Sequence, residues 1–431
     1  MNASRILSRG LLMLSAAIAG CGDQSPAAAR HSKAQATASS ELRREGSERQ
    51  LVELFSWWTA PGEAEALQAL IEAHKRTHPS ARMFNAVASS GGRTKPLLEE
   101  RLAHDDPPDL IQQNAHDLRA FVQAHPGKLE PLDSLADELG LKKVAFSEVL
   151  SEVTIGGHIY AMPVNLHREN SLFYNRVLFE SHGLKPPRTL EELLHVCETF
   201  KSAGITPIAT SHQGWILRIM FHSILMGRMG SEHYRELFAG RIKAEDPALR
   251  DAISIFADIL HKYTNPDASE EGFGWTNAAQ AIFNGDAAMF FHGDWVKGYL
   301  VQLGWKPGAD FGVVGAPGAS EVFLYGVDVF SLPRGAQNEP GAREFLTTVA
   351  SREGQLRFNE LKGSSPIRKD IEKQELDAVS RDTLEDLERA KVRMLVPSLP
   401  NWDDALGAFA KDGDEEALFK TLAVALPHPA G

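Results

Sequence analysis

Apolar residues along this chain repeat in two alternating rhythms. LVELFS (51–56) is an apolar run of strand length, after which Ala66, Leu67, Leu70 and Ile71 fall on one helical face within Gly62–Thr77, stopped near Pro79. ARMFNAV predicts a second strand, KPLLEERLA a helix, and DLIQ, after Pro107-Pro108, a short buried strand. Two more helices follow, then the strands GHIYAMPVN and SLFYN. Strands alternating with helices predict an α/β sheet, largely parallel. From about Asn175 to Gly304 helices dominate, at Thr189–Ala203, Gly214–Gly227, Glu232–Leu237, Pro247–Tyr263 and Thr276–Phe283. Strand-like runs there are few, chiefly ITPIAT and AAMFFHG. FLYGVDVFSLP returns to strand before helices at 340–350 and 352–361, and the C-terminal third is helical again. That order predicts two lobes with more than one chain crossing between them.

The N-terminus departs from both rhythms. Arg5 and Arg9 precede the apolar run Leu11–Ala19, which is short of the ~20 residues a membrane span needs and reads as a secretory signal. The run ends Ile18-Ala19-Gly20-Cys21, like a bacterial lipoprotein signal whose cysteine takes lipid and becomes the mature N-terminus. An ordinary signal peptide with a chance cysteine is the other reading. The lipoprotein reading is adopted because the whole chain holds two cysteines. The second, Cys197 in LEELLHVCETF, falls on the apolar face of an amphipathic helix and reads as inert core. Residues 22–50 lack aromatics and apolar periodicity and read as a flexible tether. Gly22, not aspartate, follows Cys21, so the sequence does not demand inner-membrane retention.

Composition narrows the partners. The chain is 43% hydrophobic and 24% charged, as in globular proteins, and its net charge of −12 argues against nucleic acid or an anionic membrane as main partner. There is no G-x-S-x-G, phosphate loop, H-E-x-x-H or G-x-G-x-x-G signature. His74 and His78 stand one helical turn apart beside Lys75 and Arg76, and read as a solvated face more readily than as a metal site. What stands out is tryptophan beside Gly, Asn or Asp at element boundaries: Trp57-Trp58, Trp275 in GFGWTNA, Trp295 in HGDWVKG and Trp402 in LPNWDD. Trp215 and Trp305 read as core. A flat indole covers the C–H face of a sugar while amides and carboxylates bond its hydroxyls, so these residues point to a wet binding cleft. Strand alternation prevents Trp57 and Trp58 from sharing one job. Trp58, nearer the loop and Glu63, is expected to face the ligand and Trp57 to brace the lobe.

From Leu51 to Pro427 the chain resembles the extracellular solute-binding proteins (family 1) of bacterial ABC sugar importers, with its nearest likeness to the glucose/mannose-binding branch. The motifs carrying the resemblance are FSWWTAPGEAEAL, RLAHDDPPDLIQQN, GHIYAMPVNLHREN with SLFYN, GFGWTNAAQAIFNGDAAMFFHGDWVKG, FLYGVDVFSLPRGA, FNELKGSSPIR and LVPSLPNW, all in one order. The resemblance implies an α/β, two-lobed periplasmic-binding-protein fold, with hinge strands and a cleft that closes on a sugar. Crossings are expected at Pro163–Leu172, at Leu324–Phe330 and near 365–380. The expected organisation is a signal peptide at 1–20, a lipidated tether at 21–50, an N-terminal lobe of 51–164 with 328–372, and a C-terminal lobe of 165–327 with 373–431. The implied ligand-binding residues are Trp57, Trp58, Glu63, Gln112, Trp275, Trp295, Asp328 and Lys362.

The chain also departs from the family pattern. Asn114 and Asn401 stand where close relatives have histidine, Glu99 replaces a lysine for which Lys95 is a substitute one turn away, and Ser171 replaces an aromatic. Asn114 and Asn401 keep their hydrogen bonding, and both join the expected site. A carboxylate such as Asp328 that accepts two vicinal hydroxyls suits polyols. The resulting expectation is an exported, periplasmic, monomeric lipoprotein, anchored through Cys21. It hands a small-molecule sugar to ABC permease subunits, without cofactor, metal or catalysis. A binding protein that feeds a sensor, and an exported carbohydrate-active enzyme with a carboxylate pair the sequence does not select, are the alternatives.

Overall fold

A computed structural model of the chain describes residues 51–87, 94–397 and 399–427. Strands β1 (Leu51–Phe55), β2 (Arg82–Asn85) and β3 (Leu110–Asn114) open it, each followed by a helix: Glu63–Thr77, Thr94–Ala103 and Ala115–Ala124. A hairpin of β4 (Thr154–Ile155) and β5 (His158–Ile159) leads to β6 (Met162–Pro163), β7 (His167–Arg168) and β8 (Ser171–Asn175). The run GHIYAMPVN, expected as one strand, is thus divided between a hairpin and a sheet strand. A mostly helical stretch then carries β9 (Thr206–Ala209), β10 (Ala287–His292) and β11 (Phe311–Gly315). The chain returns through β12 (Val322–Gly326) and β13 (Asp328–Ser331), and ends with helices around β14 (Val392–Leu395), a strand the helical C-terminal reading did not anticipate.

Three sheets organise two lobes. The first lobe has strand order β2-β1-β3-β13-β6, the second β11-β8-β10-β9, and β14-β12-β7 forms a small sheet between them. The sheets are mixed, not largely parallel as the βα alternation predicts. β1 runs parallel to β2 and β3, but β13 is antiparallel to both β3 and β6, and β8 is antiparallel to β10 and β11. The physical reason is where the chain re-enters: β13 comes back into the first-lobe sheet from the connecting sheet, one residue after β12 ends, and so runs against β6, by which the chain left that sheet.

The connecting strand β12 shows how one run serves two lobes. Successive strand side chains point to opposite faces, and here the faces belong to different cores. Val322 and Leu324 pack in the second lobe, while Phe323 and Tyr325 pack in the first. The first-lobe core contains Leu54, Leu110, Met162, Phe330 and Leu387, and the second-lobe core contains Leu172, Phe221, Leu324, Val392 and Leu406. Two crossings therefore run through β6–β8 and β12–β13. The third lies between Leu387 and Val392, later than the expected 365–380, because the helix Ala378–Arg389 still buries Leu384 and Leu387 in the first lobe.

Local chemistry accounts for the element ends. Thr189 caps Leu190–Ser202 by accepting from Glu192 N at 3.2 Å, and Asp246 with Pro247 opens Pro247–Tyr263. Cys197 is fully buried with a free thiol, whose pKa burial pushes up to about 12. His74 is also buried, not solvated: its Nδ1 lies 2.8 Å from Thr348 Oγ1 and its ring stacks on His78. Among the described residues no helix is long and apolar enough to cross a membrane. The expected leader, Cys21 and the tether lie outside the described residues.

Candidate functional site between the lobes

A cavity of about 750 Å³ is lined from both lobes and from the crossings, by residues that include Trp57, Trp58, Trp215, Trp275, Trp295 and Asp328. The first lobe delivers its part at the carboxyl ends of parallel strands, where α/β sheets expose free backbone and loops. β1 exits into Trp57-Trp58, and β3 ends at Asn114. Because β13 runs antiparallel to β3 with Asp328 opposite Asn114, the start of one strand and the end of the other meet at one edge.

Of the expected residues, Trp57, Trp58, Glu63, Asn114, Trp275, Trp295, Asp328 and Lys362 all line the cavity. The roles of the paired tryptophans are reversed. Trp58 is 2% exposed, its ring 5.6 Å from Phe330 and 4.8 Å from Phe358, and so braces the lobe, whereas Trp57 is half-buried and leaves ring surface to the cavity. Proximity to Glu63 does not decide the roles; the packing of the Trp58 ring on Phe330 and Phe358 does.

Gln112 and Asn401 do not line the cavity. Gln112 is 1% exposed, and its Oε1 accepts from Ser56 Oγ at 3.2 Å and from Trp57 N at 3.3 Å, so it holds the backbone beneath the tryptophans. Asn401 is an exposed residue at the N-cap of Trp402–Asp412 with φ 65°, a left-handed position that asparagine tolerates. Trp402, expected at the cleft, is fully buried in the second-lobe core. Trp215, expected as core, is half-buried and lines the cavity. Lys95 lines the cavity with Nζ 2.7 Å from Asp117, while Glu99 pairs with His125.

Two charged networks set the electrostatics. Lys362 Nζ donates to Glu63 Oε1 at 2.9 Å and lies 5.9 Å and 5.5 Å from the rings of Trp58 and Trp295. Among the described residues, the other Glu63 oxygen and the remaining ammonium protons have no hydrogen-bond partner. In the second network His167, in β7, bonds Asp294 through Nδ1 and Asp328 through Nε2, the latter at 3.0 Å. Burial alone would lower the His167 pKa, but Asp294 and Asp328 outweigh it and raise the ring to about 9. Asp328 moves the other way: burial would raise it, yet His167, Lys362 and the Asn165 amide at 2.9 Å hold it below the ordinary carboxylate range. Its Oδ2 takes both bonds, and among the described residues Oδ1 takes no hydrogen bond.

The second lobe supplies an aromatic wall. Trp215 and Trp295 are stacked with centroids 6.5 Å apart, and both meet the His292 ring edge-on, at 5.3 and 4.9 Å; Trp275 packs on the same ring at 5.8 Å. Burial pushes the His292 pKa down to about 3, so a neutral imidazole supports all three indoles. Sequence reasoning missed His167, Asn165, Asp294, Trp215, Glu169 and Arg218. One signal for the first of these was available: Asn165–Asn170 is a polar run set between two strands, an unusual sequence for a buried crossing.

The comparisons with known proteins agree with this architecture. The sequence profile of bacterial extracellular solute-binding proteins matches residues 60–356. An uncharacterised ABC transporter extracellular-binding protein of Pyrococcus horikoshii is 30% identical over 415 residues, covering 94% of this chain and 89% of that one. A probable sugar-binding periplasmic protein of Brucella melitensis biotype 1 is 30% identical over 346 residues, covering 80% of this chain and 81% of that one. Among solved structures, the bacterial solute receptor AcbH, described as preferring β-D-galactopyranose, superposes with a TM-score of 0.75. Its identity is 17%, with 88% of this chain and 97% of that chain covered. At that identity the likeness speaks to the fold, which is the two-lobed periplasmic-binding-protein fold.

Proposed function

The chain belongs to the bacterial extracellular solute-binding proteins, and on that premise we propose that it captures a sugar between its lobes and delivers it to the permease of an ABC importer, as a binding protein and not as an enzyme. The observation that carries the reading is that one cavity gathers indole faces from both lobes around the open oxygens of Asp328 and Glu63. Half-buried rings with a few fixed polar groups suit a ligand that is apolar on its faces and hydroxylated at its rim. The sugar-binding name of the Brucella relative supports the same class. Within it, the glucose/mannose-like branch, a lipid anchor at Cys21 with residues 22–50 as tether, a monomeric state and a periplasmic location complete the proposal. The lobes would be 51–164 with 328–372, and 165–327 with 373–431, the last boundary shifting toward Val392 in line with the core to which Leu384 and Leu387 belong.

Calorimetric titration of the full chain with D-glucose, D-mannose, D-galactose, D-xylose and maltose tests the proposal. At least one sugar is expected to bind, with affinity lost in Asp328→Asn. Failure of every sugar to bind, or binding indifferent to Asp328→Asn, would overturn it.

A further inference from the structure

Two charged side chains lining the cavity keep polar atoms that have no partner among the described residues. Arg218, on the helix Gly214–Met229 of the second lobe, is held at one edge by Asp403, 2.7 Å from its Nε, and its buried Nη1 has no hydrogen-bond partner among the described residues. Glu169 sits in the crossing between β7 and β8, its backbone N fixed on Leu324 O at 2.9 Å. Its carboxyl makes no hydrogen bond or ion pair among the described residues. Burial pushes that carboxyl's pKa up, while the positive fields of Arg218 and His167 pull against the shift. The opposite charges sense one another without forming an ion pair.

Leaving a buried charged donor such as Arg218 Nη1 unmet is costly, and Glu169 beside the cavity is only partly exposed. Such a cost persists where a ligand supplies the missing partners. A carboxylate accepts from a hydroxyl and a guanidinium donates to one. Neighbouring ring hydroxyls can meet both, since each is donor and acceptor. A ligand carboxylate would be repelled by Glu169, and a ligand ammonium by Arg218. We propose that Glu169 and Arg218 form a clamp for adjacent hydroxyls of the captured ligand, selecting uncharged sugars over uronic acids and amino sugars. The proposal rests on the sugar-binding reading of the cavity and adds to it the charge class of the ligand and the residues that select it.

The test is titration of the full chain, wild type and variant, with D-glucose, D-galactose and D-xylose, and with D-glucuronate and D-glucosamine as charged counterparts. Wild type is expected to bind at least one neutral sugar roughly tenfold or more better than either charged one. Glu169→Gln and Arg218→Gln are each expected to weaken that sugar roughly ten- to a hundredfold, as loss of a charged hydrogen bond predicts. Their selectivities should cross, Glu169→Gln gaining relative affinity for glucuronate and Arg218→Gln for glucosamine, which a merely structural defect would not produce. Should Arg218→Gln fail to fold, Arg218→Lys keeps the charge beside Asp403 and loses the fork. Neutral-sugar binding within twofold of wild type in these variants, while Asp328→Asn abolishes it, overturns the clamp and leaves the sugar reading standing. Equal wild-type affinity for charged and neutral sugars also overturns the clamp. Absence of any sugar binding by wild type overturns both.

Discussion

At His167 a single protonated ring ties Asp294 of the second lobe to Asp328 of the first, so its charge bears on stability and on the site together. Its pKa is raised from 6.5 in the unfolded chain to about 9 in the folded one. The stabilisation, on the order of 3 kcal/mol, is therefore fully present below pH 6.5 and is lost as pH rises through about 9. Urea midpoints of the full chain should fall between pH 6.5 and 9.5, and His167→Gln should flatten that fall. His74, His222 and His292 carry the opposite sign. Burial lowers them to about 4, 3 and 3, so they withdraw stability as pH drops below 6.5. The tryptophan pair divides similarly by readout. Trp58→Ala should cost about 3–5 kcal/mol of stability, as for other buried tryptophans, measured by denaturation. Trp57→Ala should leave the fold intact and weaken sugar binding roughly fivefold or more, from the ~1 kcal/mol of one stacked ring. Trp275 and Trp295 were legible as cavity residues because indoles beside Gly or Asp at element ends are poor core, whereas the choice between Trp57 and Trp58 was not legible. Trp402 shares that sequence setting, and only the helix packing around Phe221 shows that it is buried.

Between elements, one close approach of the lobes rests on glycine. Gly62, at φ +85°, heads the helix Glu63–Thr77, and a Cβ there would come within 2.7 Å of Gly298 C in the second-lobe helix Val296–Gln302. A Cβ on Gly298 would lie 2.3 Å from Leu361 O. Alanine in a helix gains up to about 1 kcal/mol over glycine, but overpacking costs about 1–3 kcal/mol. At 2.3 Å from backbone the overlap wins. Gly298→Ala should lower the melting temperature by a few degrees, and a rise would show that the two helices separate without cost. Helices were the most legible elements, since Pro247–Tyr263 and Leu190–Ser202 carry both periodicity and a capping residue. The division of FLYGVDVFSLP at Val327 was not legible. Both halves are apolar because both are buried, and hydropathy alone does not say that alternate residues of β12 enter different cores.

Across the whole molecule, the two lobes share three chain crossings and a cavity that each lobe walls on one side. The α/β character and the two-lobe organisation follow from element order. The relative direction of the strands does not, because it depends on where the chain re-enters each sheet. A ligand held by Trp57, Asp328 and Glu63 on one side and by Trp215, Trp275 and Trp295 on the other must restrain both lobes together. The most direct measurement is amide hydrogen exchange of the full chain, with and without a saturating neutral sugar that binds in calorimetry. The account predicts simultaneous slowing of exchange in 57–63 of the first lobe and in 213–219, 272–277 and 294–299 of the second. Slowing confined to one lobe, or none at saturation, would contradict capture between the lobes.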